Sequence, residues 1–509
     1  MKILSRRTWR TSWLIIFLSL AACSSCGDGG GEDHDTGDDD YDDFYISAFN
    51  FGLVHNNYYG DLGGYDGEVF REDQKWAAND VDLGIIGQDD EPMVRTWQEI
   101  RTNLVRGSWL VWQLAHLFNT NSAAGTCDAP EVGAASSTFE TRRAEFAEFL
   151  ADYPAYGDGE ECFLHARHDG QIGARWHGMG CDITLDQRGL EGSAADLKDA
   201  RLFTLVWDQY AWLFNLESDC ARDFATWRAA RQMNEGFTGP GYDNLGSPME
   251  DGFYLPQLID PIDVMEIPDA QETSVDELNG WYFPAAAGLL STVRDNLIDA
   301  GRSPTLIFNG GSYCSWEGAA ERLANLAGAD IGVWCENALQ YPAWGALDTP
   351  DRLAALIEFS RQVHERGGFI VLETFYSAGD GNPTPEEVLF YLAAYYVFQN
   401  TGDVFAIKPD WDPYAPMKDT CWFPIFGRDP SDRCGAAIQE AKGVFRRSYD
   451  GPYGQDILIL VRVDGDEPPI EYDLGGAYQS RQTDGTVVEL SGSISLASGD
   501  GLILIRSSQ

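Results

Sequence analysis

The sequence predicts an α/β protein: a (β/α)8 barrel followed by a small C-terminal antiparallel β-sandwich. Three observations carry that expectation. Short apolar runs alternate with helical patterns from Phe44 to about Lys408, the rhythm of a βα-repeat chain. After about Ala441 the helical patterns stop, and alternating strands separated by Gly and Asp turns take over. No G-x-G-x-x-G follows the first strand, which disfavours a doubly wound nucleotide fold.

The elements follow in chain order. Residues 1–22 combine a basic start, "MKILSRRTWR", with the apolar run "TSWLIIFLSLAAC". That run falls short of the about 20 residues of a membrane span and reads as a secretory signal. It ends in Leu20-Ala21-Ala22-Cys23, which resembles the lipobox of bacterial lipoproteins. Cleavage before Cys23 and lipidation of its sulfur are the expectation. Ser24 in the next position leans toward the outer membrane or cell surface of a Gram-negative cell. Residues 23–43 are rich in Gly and Asp and have no apolar pattern, so they are expected to form a disordered tether.

Residues 44–440 hold the barrel. Candidate strands are 45–52, 81–88, 109–116, 210–216, 251–257, 304–310, 331–337, 369–375 and 403–408. These are nine candidates for eight positions, so at least one is surplus, with "YAWLFNL" (210–216) or its neighbour the first suspect. "SVDELNGWYFPAAAGLLSTVRDNLIDAG", "DTPDRLAALIEFSRQVHERGG" and "PTPEEVLFYLAAYYVFQNTG" have helix starts and stops between them. The length suits a barrel of about 250 residues with insertions. Residues 441–509, from "GVFRRSYDG" to "GLILIRS", form the closing sandwich, expected to pack on the barrel in a structural role.

Acidic residues outnumber basic ones 81 to 35, a formal charge of −46. Such a field repels nucleic acid and other polyanions and leaves neutral or cationic ligands, although adaptation to a saline habitat explains the charge equally well. Of ten cysteines, Cys23 is the lipidation candidate and Cys26 lies in the tether. Cys127, Cys162, Cys181, Cys220, Cys314, Cys335, Cys421 and Cys434 form an even set, read as disulfides. Neighbour pairing would join 127–162, 181–220, 314–335 and 421–434. No metal or cofactor is expected: there is no CxxC or zinc spacing, and His165, His168 and His177 lack H-E-x-x-H order. Without a G-x-S-x-G elbow or a P-loop lysine, serine hydrolysis and phosphate cradling are disfavoured as well.

Barrel chemistry sits where strands run out. Reading off those ends gives Gln88 with Asp89, Asp90 and Glu91, then His116, Asn215, Asn309, Glu336 with Asn337, and Glu373. Glu336 and Glu373 end consecutive strands, about 5 Å apart by strand spacing, which is what two-carboxylate glycoside hydrolysis requires. Trp334, Tyr341, Trp344, Trp411 and Tyr414 lie near strand ends, and Trp334 and Tyr341 are the sugar-stacking candidates.

Several phrases taken together resemble one family. "ECFLHARHDGQIGARWHG", "LFNLESDCARDFATW", "DGFYLPQLID", "LIFNGG", "GVWCENAL" and "GVFRRSYDG" with "DILILVRV" occur in that order over roughly residues 160–509. The order is similar to that of glycosyl-hydrolase-like TIM barrels distantly related to endo-α-1,4-polygalactosaminidases. The resemblance implies a TIM barrel with a C-terminal β-domain and activity on polysaccharide. Asp251 matches the acid that opens the family's strand, whereas the acid at its exit is replaced by Pro256, leaving Asp260 four residues further on as substitute. If Asp260 does not turn back, the second carboxylate is Glu373 or one of Asp89, Asp90 and Glu91.

The expected function is therefore that of a surface-anchored, monomeric glycoside hydrolase acting on a neutral or amino-sugar polysaccharide. Glu336 is the acid, and Glu373 or Asp260 its partner. The alternative is a non-catalytic carbohydrate-binding lipoprotein on a degenerate barrel.

Overall fold

The structure, a computed structural model, describes residues 50–55, 83–86, 104–108, 114–116, 137–163, 166–168, 171–172, 176–178, 181–183, 203–206, 209–212, 214–242, 245–246, 263–264, 275–316, 318–336, 338–339, 349–376, 384–400, 402–409, 437–450, 456–465, 467–481 and 486–506. By contacts the chain separates into Met1–Phe44 and Tyr45–Gln509. The leader, Cys23 and the tether fall in the first unit, outside the described residues.

Eight strands pair side by side, all parallel, and the ring closes on itself. In chain order they are β1 (Asn50–His55), β2 (Leu83–Ile86), β3 (Leu104–Ser108), β4 (Gly239–Tyr242), β5 (Leu306–Asn309), β6 (Ile331–Glu336), β7 (Ile370–Tyr376) and β8 (Val404–Pro409). Each pairs with its neighbours in the chain, and β1 pairs with β8.

Two of the nine candidates fall outside the ring, one of them the segment 210–216 suspected as surplus. The candidate 109–116 supplies only an off-barrel strand, Leu114–His116, and 210–216 contributes Gln209–Trp212; both belong to one small antiparallel sheet with Phe203–Val206. The ring is filled instead by "LVRGS" and "GPGY". Neither is a convincing apolar run, and "GPGY" contains a proline that argues against a strand. Its glycine has a steric reason: a Cβ at Gly239 would lie 2.0 Å from the carbonyl oxygen of Thr305, just ahead of β5. The candidate 251–257 lies outside the described residues.

Helices pack around the later strands: α1 (Ser137–Asp152), α2 (Asp219–Asn234), α3 (Val275–Asp299), α4 (Ala319–Ala324), α5 (Pro350–Glu365) and α6 (Pro385–Phe398). Their starts follow local chemistry. Ser218 caps α2 by accepting from Ala221 N–H at 3.0 Å. Thr384 and Glu387 form a reciprocal box at the head of α6, with Pro385 in its first turn. The Cys162–Cys220 disulfide staples the segment ahead of α2, where Phe146, Phe149, Phe163, Phe214 and Phe224 make one aromatic cluster. This bridge corrects the neighbour pairing, since Cys162 meets neither Cys127 nor Cys220 its expected Cys181. Cysteine order along the chain says nothing about which loops meet once an aromatic core gathers them. Cys314–Cys335 forms as expected; Cys127, Cys421 and Cys434 lie outside the described residues.

The chain closes with six antiparallel strands: β9 (Ile438–Gln439), β10 (Val444–Asp450), β11 (Asp456–Arg462), β12 (Ile470–Arg481), β13 (Val487–Leu496) and β14 (Gly501–Arg506). They form one continuous sheet in the order β9-β10-β11-β14-β12-β13, where two stacked sheets were expected. The register slips between Asp473 and Ala477. Residues of β10, β11, β12, β13 and β14 enclose a cluster that includes Val444, Leu460, Leu474, Leu496 and Leu504, so the sheet folds over its own core. Its other face lies on α6. Tyr449 Oη and the Arg447 guanidinium donate to carbonyls at the end of that helix, and Gly501 passes so close that a Cβ there would sit 2.5 Å from Leu389 O. Covered on both sides, α6 is apolar all round from Leu389 to Phe398.

Candidate functional site

Along β5 to β8 the described residues alternate between the inside of the ring and its outside, as period-2 strands do. Ile307, Trp334, Val371 and Val404, from four consecutive strands, form one buried cluster with Phe369 packed against it. Gly332 makes room for that ring, since a Cβ there would come within 2.4 Å of Phe369 carbons. Leu306, Phe308, Val333, Cys335, Ile370 and Leu372 occupy the intervening positions, buried on the opposite, helix-covered side. Moving two residues along each strand from the cluster brings polar side chains to the inner face: Asn309 on β5, Glu336 on β6 and Glu373 on β7.

Glu336 and Glu373 are direct partners in the β6–β7 register. Paired positions of parallel strands point their side chains the same way, so both carboxyls share one level of the ring. Strands lie about 4.8 Å apart, which sets the spacing of the two backbones. Each acid has its own neutral donor. Asn309 Nδ2 donates to Glu336 Oε2 at 2.7 Å, and Trp334 Nε1 donates to Glu373 Oε2, also at 2.7 Å. The amide of Asn309 is oriented from behind. Gly311 N–H donates to Asn309 Oδ1 at 2.7 Å, so the oxygen is committed there and the NH2 must face Glu336.

The backbone around Asn309 is equally fixed. Gly246 N–H donates to Asn309 O at 2.9 Å, and Gly310 N–H donates to Trp334 O at 2.8 Å. The Cys314–Cys335 bridge ties the turn after β5 to the residue preceding Glu336. Beyond Glu336, Leu339 O accepts from the Thr374 hydroxyl, holding the outgoing loop against β7.

Burial separates the two acids. Glu336 is half-buried at the end of β6, whereas Glu373 is 0 % exposed. The sequence reading put Glu373 at its strand's end, yet β7 runs on to Tyr376 and Glu373 stands in its middle. The strand outlasts the acid because Thr374, Phe375 and Tyr376 continue the pairing with Ile407, Lys408 and Pro409 of β8.

The other sequence candidates sort as follows. Trp334 is buried at 2 % exposure beneath the acids, a support for Glu373 and no open stacking platform. Asn215 is remote from the strand ends. Its N–H donates to Cys162 O, and its side chain accepts from Glu217 N–H, shaping the turn before α2. His116 lies in the off-barrel sheet, and His168 and His177 sit in separate small ribbons. Gln88, Asp89, Asp90, Glu91, Asp251, Pro256, Asp260, Asn337, Tyr341, Trp344, Trp411 and Tyr414 lie outside the described residues, as does His165. What the sequence reading missed is the chain of support: Gly311 to Asn309 to Glu336, and Trp334 to Glu373. "FNGGS" hinted at the first, because a Gly-rich turn straight after an Asn frees backbone N–H groups to reach its side chain.

The fold and site thus define a parallel α/β barrel with two acids side by side on its inner face. No known protein family matches the sequence, and no curated protein is similar to it. Among solved structures, the chain is similar to Amy13B of Eubacterium rectale, at 10% identity and TM-score 0.43, over 92% of this chain and 96% of that one. It is similar to a GH27 β-L-arabinopyranosidase from Geobacillus stearothermophilus at 8% identity and TM-score 0.45, over 91% and 97%. α-Galactosidase I from Mortierella vinacea follows at 9% identity and TM-score 0.43, over 90% and 96%. Likenesses this loose leave the reaction to be argued from the residues themselves.

Proposed function

We propose that the chain is a glycoside hydrolase on a (β/α)8 TIM barrel that cleaves O-glycosidic bonds of a neutral or amino-sugar polysaccharide with Glu336 and Glu373. The observation that carries this reading is the register pairing of the two acids on the inner face, each held by its own donor. Backbones about 4.8 Å apart suit the about 5–5.5 Å carboxyl separation of retaining enzymes better than the about 6.5–9.5 Å of inverting ones. In that mechanism Glu336, at the strand end and the more accessible, gives its proton to the leaving oxygen. Glu373 attacks the anomeric carbon as the C–O bond breaks, forming a glycosyl ester. Glu336, now a carboxylate, takes a proton from water, which cleaves the ester and frees Glu373. Asn309 and Trp334 act as positioning residues. Lipid anchoring at Cys23, export to the cell surface, the monomeric state and kinship with polygalactosaminidase-related barrels belong to the same proposal, on the strength of the sequence patterns alone.

A second reading is favoured by one observation, the complete burial of Glu373. A sugar does not reach a fully buried carboxyl, and a barrel that offers it only Glu336 holds saccharide without cutting it. The test is reducing-end release from a panel of neutral and N-acetylated amino-sugar polysaccharides, by the soluble chain from Tyr45 onward and by its Glu336→Gln variant. Release by the parent, reduced about 10²–10⁴-fold in the variant, supports the hydrolase. Binding without release by either protein supports the second reading.

A further inference from the structure

The folded-over C-terminal sheet has a pocket at the mouth of its own core, and its residues are of a different kind from the rest of that core. The cavity measures about 490 Å3, inside the range of about 300–1,000 Å3 that small-molecule sites occupy. Its floor is Leu458, Leu474 and the ring of Tyr478, all buried. Around the rim stand Glu440, Arg446, Tyr472, Asp473 and Arg506.

These side chains come from β10, β12, β14 and the residue after β9, and are held in place. Arg446 Nε lies 2.6 Å from Glu440 Oε1, and their side chains are 37% and 31% exposed, so the pair sits half in the pocket and half in water. Burial and the neighbouring Glu440 carboxylate push the Tyr472 phenol up to about 12. Arg506 lies over the irregular stretch of β12: a Cβ at Gly476 would approach its Nη2 at 3.6 Å, and Tyr478 is its register partner. Asp473, just ahead of the slip, lines the opening and is exposed, and its Oδ1 accepts from Gly475 N–H at 3.0 Å.

The charge pattern selects the ligand. Two arginines face two carboxylates, so neither an anion nor a cation gains without meeting a like charge. A ring rich in hydroxyls satisfies both, because a carboxylate accepts from an O–H, a guanidinium donates to its oxygen, and a tyrosine face covers the apolar side of the ring. We propose that the C-terminal sheet carries a second saccharide-binding site, lined by Glu440, Arg446, Tyr472, Asp473, Tyr478 and Arg506, which takes a neutral glycan unit apart from the barrel acids. It holds the polymer on the chain and takes no part in bond cleavage, so it does not require the barrel to be catalytic.

The test is native electrophoresis of the full chain through gels containing soluble starch, arabinogalactan or glycol chitin, with polysaccharide-free gels as reference. The proteins are the parent and the Glu336→Gln, Arg506→Ala and Tyr472→Ala variants. Arg506 is exposed and Tyr472 half-buried, and thermal melts of both variants establish that the sheet is intact. The expected result is retardation of the parent and of Glu336→Gln in at least one gel. In the same gel Arg506→Ala and Tyr472→Ala bind about tenfold more weakly, the loss of one contact to a charged group. Retardation unchanged in Arg506→Ala and Tyr472→Ala overturns the proposal, as does the absence of retardation in all three gels. Retardation abolished by Glu336→Gln alone places binding in the barrel and also overturns it.

Discussion

Asn309 is a small residue with three simultaneous tasks. It ends β5, takes a backbone N–H on its oxygen and gives its NH2 to Glu336. Asn309→Asp keeps the size and the Gly311 contact but replaces the donor by a like charge, which disfavours the ionised form of a neighbouring carboxylate. The expected outcome is a loss of kcat of about 10²-fold with KM little changed, and a pH–rate profile displaced upward. Asn309→Ala should lower kcat without displacing the profile as far. An unchanged profile in both would make Asn309 a purely structural residue. At this scale Glu336 and Asn309 were legible in the sequence, because a polar residue after an apolar run marks the end of a strand, whereas Glu373 was legible as an inward acid but not as the mid-strand residue it is. The role of Trp334 was not. An aromatic before a carboxylate looks the same whether it stacks on sugar or lies beneath the acid, and only the ring's closure decides which way it faces.

Among the elements, the segment from β5 to β6 has the most redundant support. Backbone hydrogen bonds hold Gly310 to Trp334, and the Cys314–Cys335 bridge spans 21 residues around α4. A loop of that length is worth about 3 kcal/mol through the unfolded state. Replacing both cysteines by alanine should lower the unfolding free energy by about that amount in urea titrations. Because Cys335 precedes Glu336, kcat should fall as well, while an undiminished kcat would show that the hydrogen bonds alone hold the acid. The strands β5 to β8 were legible as apolar runs because adjacent residues at their starts, from Leu306 and Ile307 to Val404 and Phe405, are buried on both faces. β3 and β4 were not. Gly239 serves a close backbone approach that leaves no side chain to read, and Arg106 ends the apolar run of "LVRGS" after two residues. Their places in the expected ring went to two apolar segments that pair antiparallel outside it, since periodicity reports burial and not the sheet in which a strand is buried.

For the molecule as a whole, barrel and C-terminal sheet share one buried helix, α6, and phenols are buried in β4, in α3 and in α6. Burial raises the pKa of Tyr242, Tyr282 and Tyr396 above the ordinary tyrosine range, and burial together with a hydrogen bond to Asp223 does the same for Tyr156. A raised phenol favours the folded state while the unfolded one begins to ionise only above about pH 10. That stability is fully present below about pH 10 and is lost as pH rises toward the folded values. Thermal melts should therefore be flat from neutral pH to about 9 and drop steeply above 10, with a second step of tyrosinate absorbance, beyond that of the exposed tyrosines, appearing in the same transition as unfolding. All of the absorbance rising before unfolding would contradict this. The change from helix to sheet near residue 441 was legible in the sequence, but the single folded-over sheet was not, because its register slip and its seat on α6 depend on contacts far apart in the chain.

The central claim is that Glu336 and Glu373 work as a pair, and the most direct measurement compares single-variant kinetics on one cleaved polysaccharide with the stereochemistry of the parent's product. The account predicts that Glu336→Gln and Glu373→Gln each lose about 10²-fold or more in kcat, that the double variant is little worse than either, and that proton NMR shows the newly released reducing end with the configuration of the bond that was cut. A Glu373→Gln variant that keeps the parent's kcat would contradict it and reduce Glu373 to a buried support for Trp334.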